Sequence, residues 1–162
     1  MSHETLTVER KLEPQKPTAA FIGASWAALL LGVSCYLIGL WNANMMLNEK
    51  GYYFTLLLFG LFGAVSVQKA VRDRIEGIPV TAIYVGVSWF AVLAALTLLA
   101  IGLWNANLLL SEKGFYGISM ALSIFAVIAV QKNVRDLEAF KEADELEHRQ
   151  QAEEQDATIR QP

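Results

Sequence analysis

Two short stretches hold most of the side chains that could do chemistry within the apolar part of this chain. Trp41, Asn42 and Asn44 are followed after four residues by Glu49, Lys50 and Gly51, and then by Tyr53. Trp104, Asn105, Asn107, Glu112, Lys113, Gly114 and Tyr116 repeat the pattern at the same spacing. A carboxylate, an ammonium and several amides at membrane depth need mutual partners, and can mark a polar pathway. The plainer chemistry is that of an interface: indole and phenol rings in an aromatic belt, asparagines shaping a turn, glycines permitting close helix approach, and a solvated Glu-Lys pair. The patterns of familiar catalysis are absent, with no HExxH, GxSxG, P-loop or Rossmann glycine signature. Cys35 stands alone and reads as a small packed hydrophobe, and His3 and His148 lie in the polar ends without a ligand spacing. No catalytic residue, metal or cofactor is expected, and the protein reads as no enzyme.

A second repeated group follows each apolar stretch: Gln68, Lys69, Arg72 and Asp73, then Gln131, Lys132, Arg135 and Asp136. Lys69 and Asp73 are four residues apart, as are Lys132 and Asp136 and Gln68 and Arg72, so each pair shares a helix face. These residues serve as positive anchors with pairing at a helix end, or as a docking site for anionic lipid headgroups or a partner protein.

The elements that position these groups are membrane helices. The chain has 162 residues, 54% hydrophobic and only 18% charged, against about 25% charged for an ordinary soluble domain. Thr18 to Leu47 and Gly77 to Ser111 carry no Asp, Glu, Lys, Arg or His, and neither do Gly51–Gln68 and Gly114–Gln131. A helix crosses the hydrocarbon core in roughly 20 residues, so an all-α integral membrane protein is the reading. A shift of 63 residues aligns Gly39–Asp73 with Gly102–Asp136 at 18 of 35 identical positions. The identities fall on Trp, Asn, Glu, Lys, Gly, Gln, Arg and Asp, which shared hydrophobicity does not explain, so a two-helix unit has been duplicated.

The expected organisation is an arm at 1–17, a first two-helix repeat at 18–73, a linker at 74–80, a second repeat at 81–136, and an acidic helical tail at 137–162. Thr18 and Thr81 would cap the longer helices, and Asn48 and Ser111 would cap the shorter ones, which then start at Glu49 and Glu112. Gly77 and Pro79 would stop the chain between repeats. Gly60 with Ala64, and Gly117 with Ala121, have the spacing for tight helix contacts. Trp41, Asn44 and Glu49 are expected to form one polar cluster, mirrored by Trp104, Asn107 and Glu112. Eight Lys and Arg flank the helix ends at the arm, linker and tail, against two at the hairpin tips. That bias puts both termini in the cytoplasm and makes the two hairpins a parallel repeat about the membrane normal.

The doubled WNAN-x4-EKG-x-Y and QK-x-VRD motifs resemble the YiaA/YiaB family of small bacterial inner-membrane proteins, closest to those with two tandem two-helix domains. The resemblance covers about residues 18–136 and leaves the arm and tail outside. It implies a multi-pass protein of the bacterial inner membrane and brings no activity, substrate or catalytic residue. The expected partners are membrane lipids and further copies of the chain. The acidic excess sits in the tail, where 137–162 carries 3 basic and 8 acidic residues, so nucleic acid is not an expected partner. The sequence identifies no partner protein. A structural or accessory membrane protein is the first functional reading, and an oligomeric channel or small-solute carrier lined by the Asn/Glu/Lys motifs is the second.

Overall fold

In the computed structural model, residues 16–159 are described; residues 1–15 of the expected arm, with His3, and 160–162 of the tail lie outside them. Four helices account for the described chain: α1 (Ala19–Asn42), α2 (Leu47–Ile75), α3 (Ala82–Asn105) and α4 (Leu110–Ile159). All four are long and apolar enough to cross a membrane, and no strand occurs among the described residues. The protein is an all-α membrane protein of four transmembrane helices in two tandem hairpins.

Local chemistry sets most helix ends. The Phe21 N–H donates to Thr18 Oγ1 and the Tyr84 N–H to Thr81 Oγ1, each at 3.3 Å, so both threonines cap as their type favours. After α2, Gly77 turns at φ 76°, while its N–H bonds the Arg74 carbonyl and the Ile78 N–H bonds the Asp73 carbonyl. This pair of bonds satisfies the last carbonyls of the helix through a left-handed glycine.

The starts of α2 and α4 differ from expectation. They begin at Leu47 and Leu110, two residues early, so Asn48 and Ser111 lie inside the first turn and do not cap it. Glu49 reaches back instead, its carboxylate accepting the Met46 N–H at 2.8 Å, and Glu112 accepts the Leu109 N–H at the same distance. A third-position glutamate thus satisfies the N–H of the residue before the helix, one half of a capping box.

The chain divides into two units, Thr18–Asn133 and the remainder. In the remainder, α4 runs on as one helix to Ile159, and Lys16 places its ammonium 5.5 Å from the centre of the Phe140 ring. Within Thr18–Asn133, α2 and the first part of α4 form the inner pair, and the first helix of each hairpin packs on the second helix of the other. The first helices, expected to be the longer, have 24 residues each against 29 in α2 and 50 in α4. A Cβ on Gly32 of α1 would lie 2.7 Å from Ser123 Oγ of α4. At the corresponding place, Gly60 of α2 faces Ala95 of α3. Likewise Gly39 meets Phe115 and Tyr116, and Gly102 meets Tyr52 and Tyr53. These contacts map onto each other when the two copies are exchanged. The centre is filled by Tyr36, Leu56, Leu57, Leu99, Tyr116 and Met120, all buried.

Close approach therefore uses Gly32, Gly39, Gly60, Gly63 and Gly102. The expected pair Gly60 and Ala64 is buried, but Gly117 has nothing within 4 Å of a Cβ and Ala121 is exposed. Gly51 and Gly114 are also open, so they do not bring helices together.

Candidate functional site

The repeated hairpin residues act mainly on their own backbone. Beside the Glu49 bond, Lys50 Nζ donates to the Trp41 carbonyl at 2.8 Å and Asn42 Nδ2 to the Ile38 carbonyl at 2.8 Å. The second copy repeats each bond, with Lys113 to the Trp104 carbonyl at 3.2 Å and Asn105 to the Ile101 carbonyl at 2.8 Å. The Trp41 and Trp104 carbonyls, in the last turn of their helices, have no helical partner, and the two lysines supply one. Three side chains thus shape each hairpin: the lysine crosses its loop, the asparagine folds onto the last turn before it, and the glutamate holds the start of the helix after it.

The expected Trp–Asn–Glu cluster does not assemble through its side chains. Trp41 and Trp104 are 83% and 85% exposed, and Trp41 joins the hairpin network through its carbonyl. Tyr53 and Tyr116 leave the aromatic belt as well. They are buried and stacked at 6.0 Å with 20° between planes, Tyr36 stands edge-on to Tyr116 at 5.4 Å, and the Tyr36 hydroxyl donates to the Tyr53 carbonyl. Depth along the helix matched an interface, but the face of the helix points inward.

Two clefts open at the hairpin ends. The larger, about 710 Å³, is lined by Asn44, Met45, Met46, Asn48, Glu49, Tyr52, Tyr53, Gly102, Asn105, Ala106, Asn107 and Leu108. The smaller, about 300 Å³, is lined by Gly39, Asn42, Ala43, Leu108, Ser111, Glu112, Phe115 and Tyr116. Most of these positions correspond in the repeat, so one architecture occurs twice with different contents. The first cleft has Tyr52 and Asn48 where the second has Phe115 and Ser111. Tyr52 also ties α2 to α3, its hydroxyl donating to the Leu98 carbonyl at 2.6 Å. Sequence reasoning passed over Tyr52 because it looked only at what the copies share.

At the other helix ends, Asp73 is nearly buried and paired with Lys69, with Arg72 Nη2 3.1 Å from its other oxygen. Arg72 Nε lies 3.7 Å from Glu76. Gln68 turns away from Arg72 and donates to the Ile128 carbonyl of α4 at 3.3 Å. In the second copy Arg135 bonds Asp136 through Nη2 at 3.0 Å. Gln131 and Lys132 hold the matching helix positions. A contact that sequence reasoning missed is Asn133, 2% exposed, whose Nδ2 donates to Ser25 Oγ of α1 at 2.9 Å. The signal was a departure between copies, since Ala70 fills the matching place. No group of three or more His, Cys, Asp or Glu gathers for a metal among the described residues.

The yiaA/B two-helix domain family matches this chain twice, over residues 21–73 and 84–136. The chain is similar to "Inner membrane protein YiaA" of Escherichia coli strain K12, with 54% identity over 129 residues, 80% of this chain and 88% of that protein. It is also similar to "Uncharacterized membrane protein YubF" of Bacillus subtilis strain 168, with 40% identity over 63 residues, 38% of this chain and 72% of that one. No solved structure matches the chain.

Proposed function

The chain belongs to the yiaA/B two-helix domain family, and from that premise we propose a non-enzymatic, structural or accessory role in the inner membrane, exerted through helix packing. One observation carries the reading: Asn42, Glu49 and Lys50 make the same backbone bonds as Asn105, Glu112 and Lys113 in the other hairpin. Residues that close a loop are retained for the loop. The centre supports the same reading, since Tyr36, Leu57 and Met120 fill it and are buried.

Self-association belongs to this proposal, on a changed argument. The hairpin carboxylates and ammoniums already have partners within the chain, so they do not call for a second copy. The outer faces of α1 and α3 remain, each helix burying only four of its 24 residues. On α1 the exposed face includes Ala20, Gly23, Ala24 and Ala27, small enough for a second backbone to approach. Both termini and the linker face the cytoplasm in this reading, as the Lys and Arg distribution supports. Native mass measurement in nanodiscs tests association: a multiple of the chain mass is expected, reduced by Gly23→Leu, and a strictly monomeric species contradicts it. Reporter fusions test orientation, and a cytoplasmic Lys50 or Lys113 contradicts it.

A second reading, a small-solute carrier, is favoured by the amide-rich cleft of about 710 Å³. Solute flux across proteoliposomes, absent without protein, would establish it over the first.

A further inference from the structure

We propose that the larger hairpin-end cleft binds one organic ammonium group, and that its counterpart in the second repeat does not. Three residues of the cleft keep acceptor atoms that no bond among the described residues uses. Glu49 uses one carboxylate oxygen on the Met46 N–H, leaving the other. Asn105 uses its amide nitrogen on the Ile101 carbonyl, leaving its amide oxygen. The Tyr52 hydroxyl donates to the Leu98 carbonyl, leaving its oxygen as an acceptor. All three residues line the cleft, and Glu49 is its only charged one. The cleft is therefore negative, and these three residues leave it unused acceptors; Asn44, Asn48 and Asn107 also line it and bring amide donors as well as acceptors. Lys50, the neighbouring cation, is held on the Trp41 carbonyl and takes no part in the lining.

Two further features select a cation. The cleft includes Gly102 and Asn105 from the last turn of α3, the end at which the helix dipole is negative. Tyr52 and Tyr53 cross edge to face at 5.3 Å and 79°, giving aromatic surface beside the carboxylate, and ammonium groups are attracted to such ring faces. A primary ammonium has three N–H donors for these acceptors.

The smaller cleft keeps the counterparts Glu112 and Asn42, but Phe115 removes the phenolic oxygen and the volume falls to about 300 Å³. The chain thus contains its own control, because Glu49 and Glu112 make equal backbone bonds of 2.8 Å. The ammonium comes from a lipid headgroup or a free amine, and the proposal holds under either functional reading because binding is measured without flux.

The test uses the full chain in nanodiscs, with two arms. In phosphatidylglycerol discs, ethanolammonium binding is followed by saturation-transfer NMR. In discs that also contain phosphatidylethanolamine, the number of those lipids retained per chain is counted by native mass spectrometry. Binding is expected in at least one arm, and the arm that responds identifies the source. Glu49→Gln should weaken it about tenfold, the scale of one lost charge contact, while Glu112→Gln leaves it within about twofold. Tyr52→Phe, which copies Phe115, should weaken it severalfold and serves if Glu49→Gln does not fold. No binding in either arm overturns the proposal, as does equal loss in Glu112→Gln, retention in Glu49→Gln, or an unchanged Tyr52→Phe.

Discussion

At a glycine of this protein, the neighbouring atom decides what an added methyl group does. A Cβ on Gly63 would meet the Val92 backbone nitrogen at 2.9 Å, and one on Gly32 would meet the Ser123 backbone nitrogen at 3.0 Å. Backbone cannot step aside, so Gly63→Ala and Gly32→Ala should each destabilise by about 1–3 kcal/mol, read as lower melting temperatures in detergent. Gly23 has open space, and Gly23→Ala should leave the melting temperature unchanged or raise it. A second residue-scale prediction concerns Ser25 and Asn133. Ser25→Ala leaves the Asn133 amide nitrogen buried without its partner, a loss of about 1–3 kcal/mol. Asn133→Ala restores the side chain that copy one carries at Ala70, and removes an amide oxygen that has no partner among the described residues. It should therefore cost less than Ser25→Ala in the same thermal assay, and the reverse order would contradict the account. These contacts were only partly legible because small residues abound in membrane helices: four-residue spacing points to Gly60, which packs closely, and equally to Gly117, where an added Cβ would meet nothing within 4 Å.

The elements themselves were largely legible, because their ends depend on near neighbours in sequence. Uncharged runs gave the four helices, Thr18 and Thr81 their caps, and Gly77 the stop after α2. The starts of α2 and α4 were misplaced by two residues because Asn48 and Ser111 are good caps in isolation, whereas a glutamate bonding backward makes an earlier start possible. Which helix packs on which was not legible at all. Every outer face is apolar, and nothing local tells α1 to lie on α4. At this scale Gly77→Ala should destabilise the end of α2 by about 1 kcal/mol, since its φ of 76° strains any residue with a Cβ. Hydrogen exchange at Gly77 and Ile78, whose N–H groups close the turn, should accelerate in the variant, and unchanged protection would contradict the assignment.

For the whole molecule, the duplication sets the inner pair of helices and leaves the two hairpin ends alike in bonding but unlike in their clefts. Shared residues between copies pointed to the hairpin ends, where Asn42, Glu49 and Lys50 and their counterparts bond the backbone of the hairpin. What differs between copies, Tyr52 against Phe115 and Asn133 against Ala70, carries the individuality of each half. On the proposed reading, the repeated Asn, Glu and Lys that bond the hairpin backbone hold the fold together. Thermal unfolding of Glu49→Ala/Glu112→Ala in lipid nanodiscs tests it most directly, because these carboxylates make matching bonds in separate hairpins. Loss of one capping bond costs about 0.5–2 kcal/mol and independent sites add, so the double variant should melt well below the wild type, by roughly the sum of the two single shifts. A double variant that melts with the wild type would contradict the account.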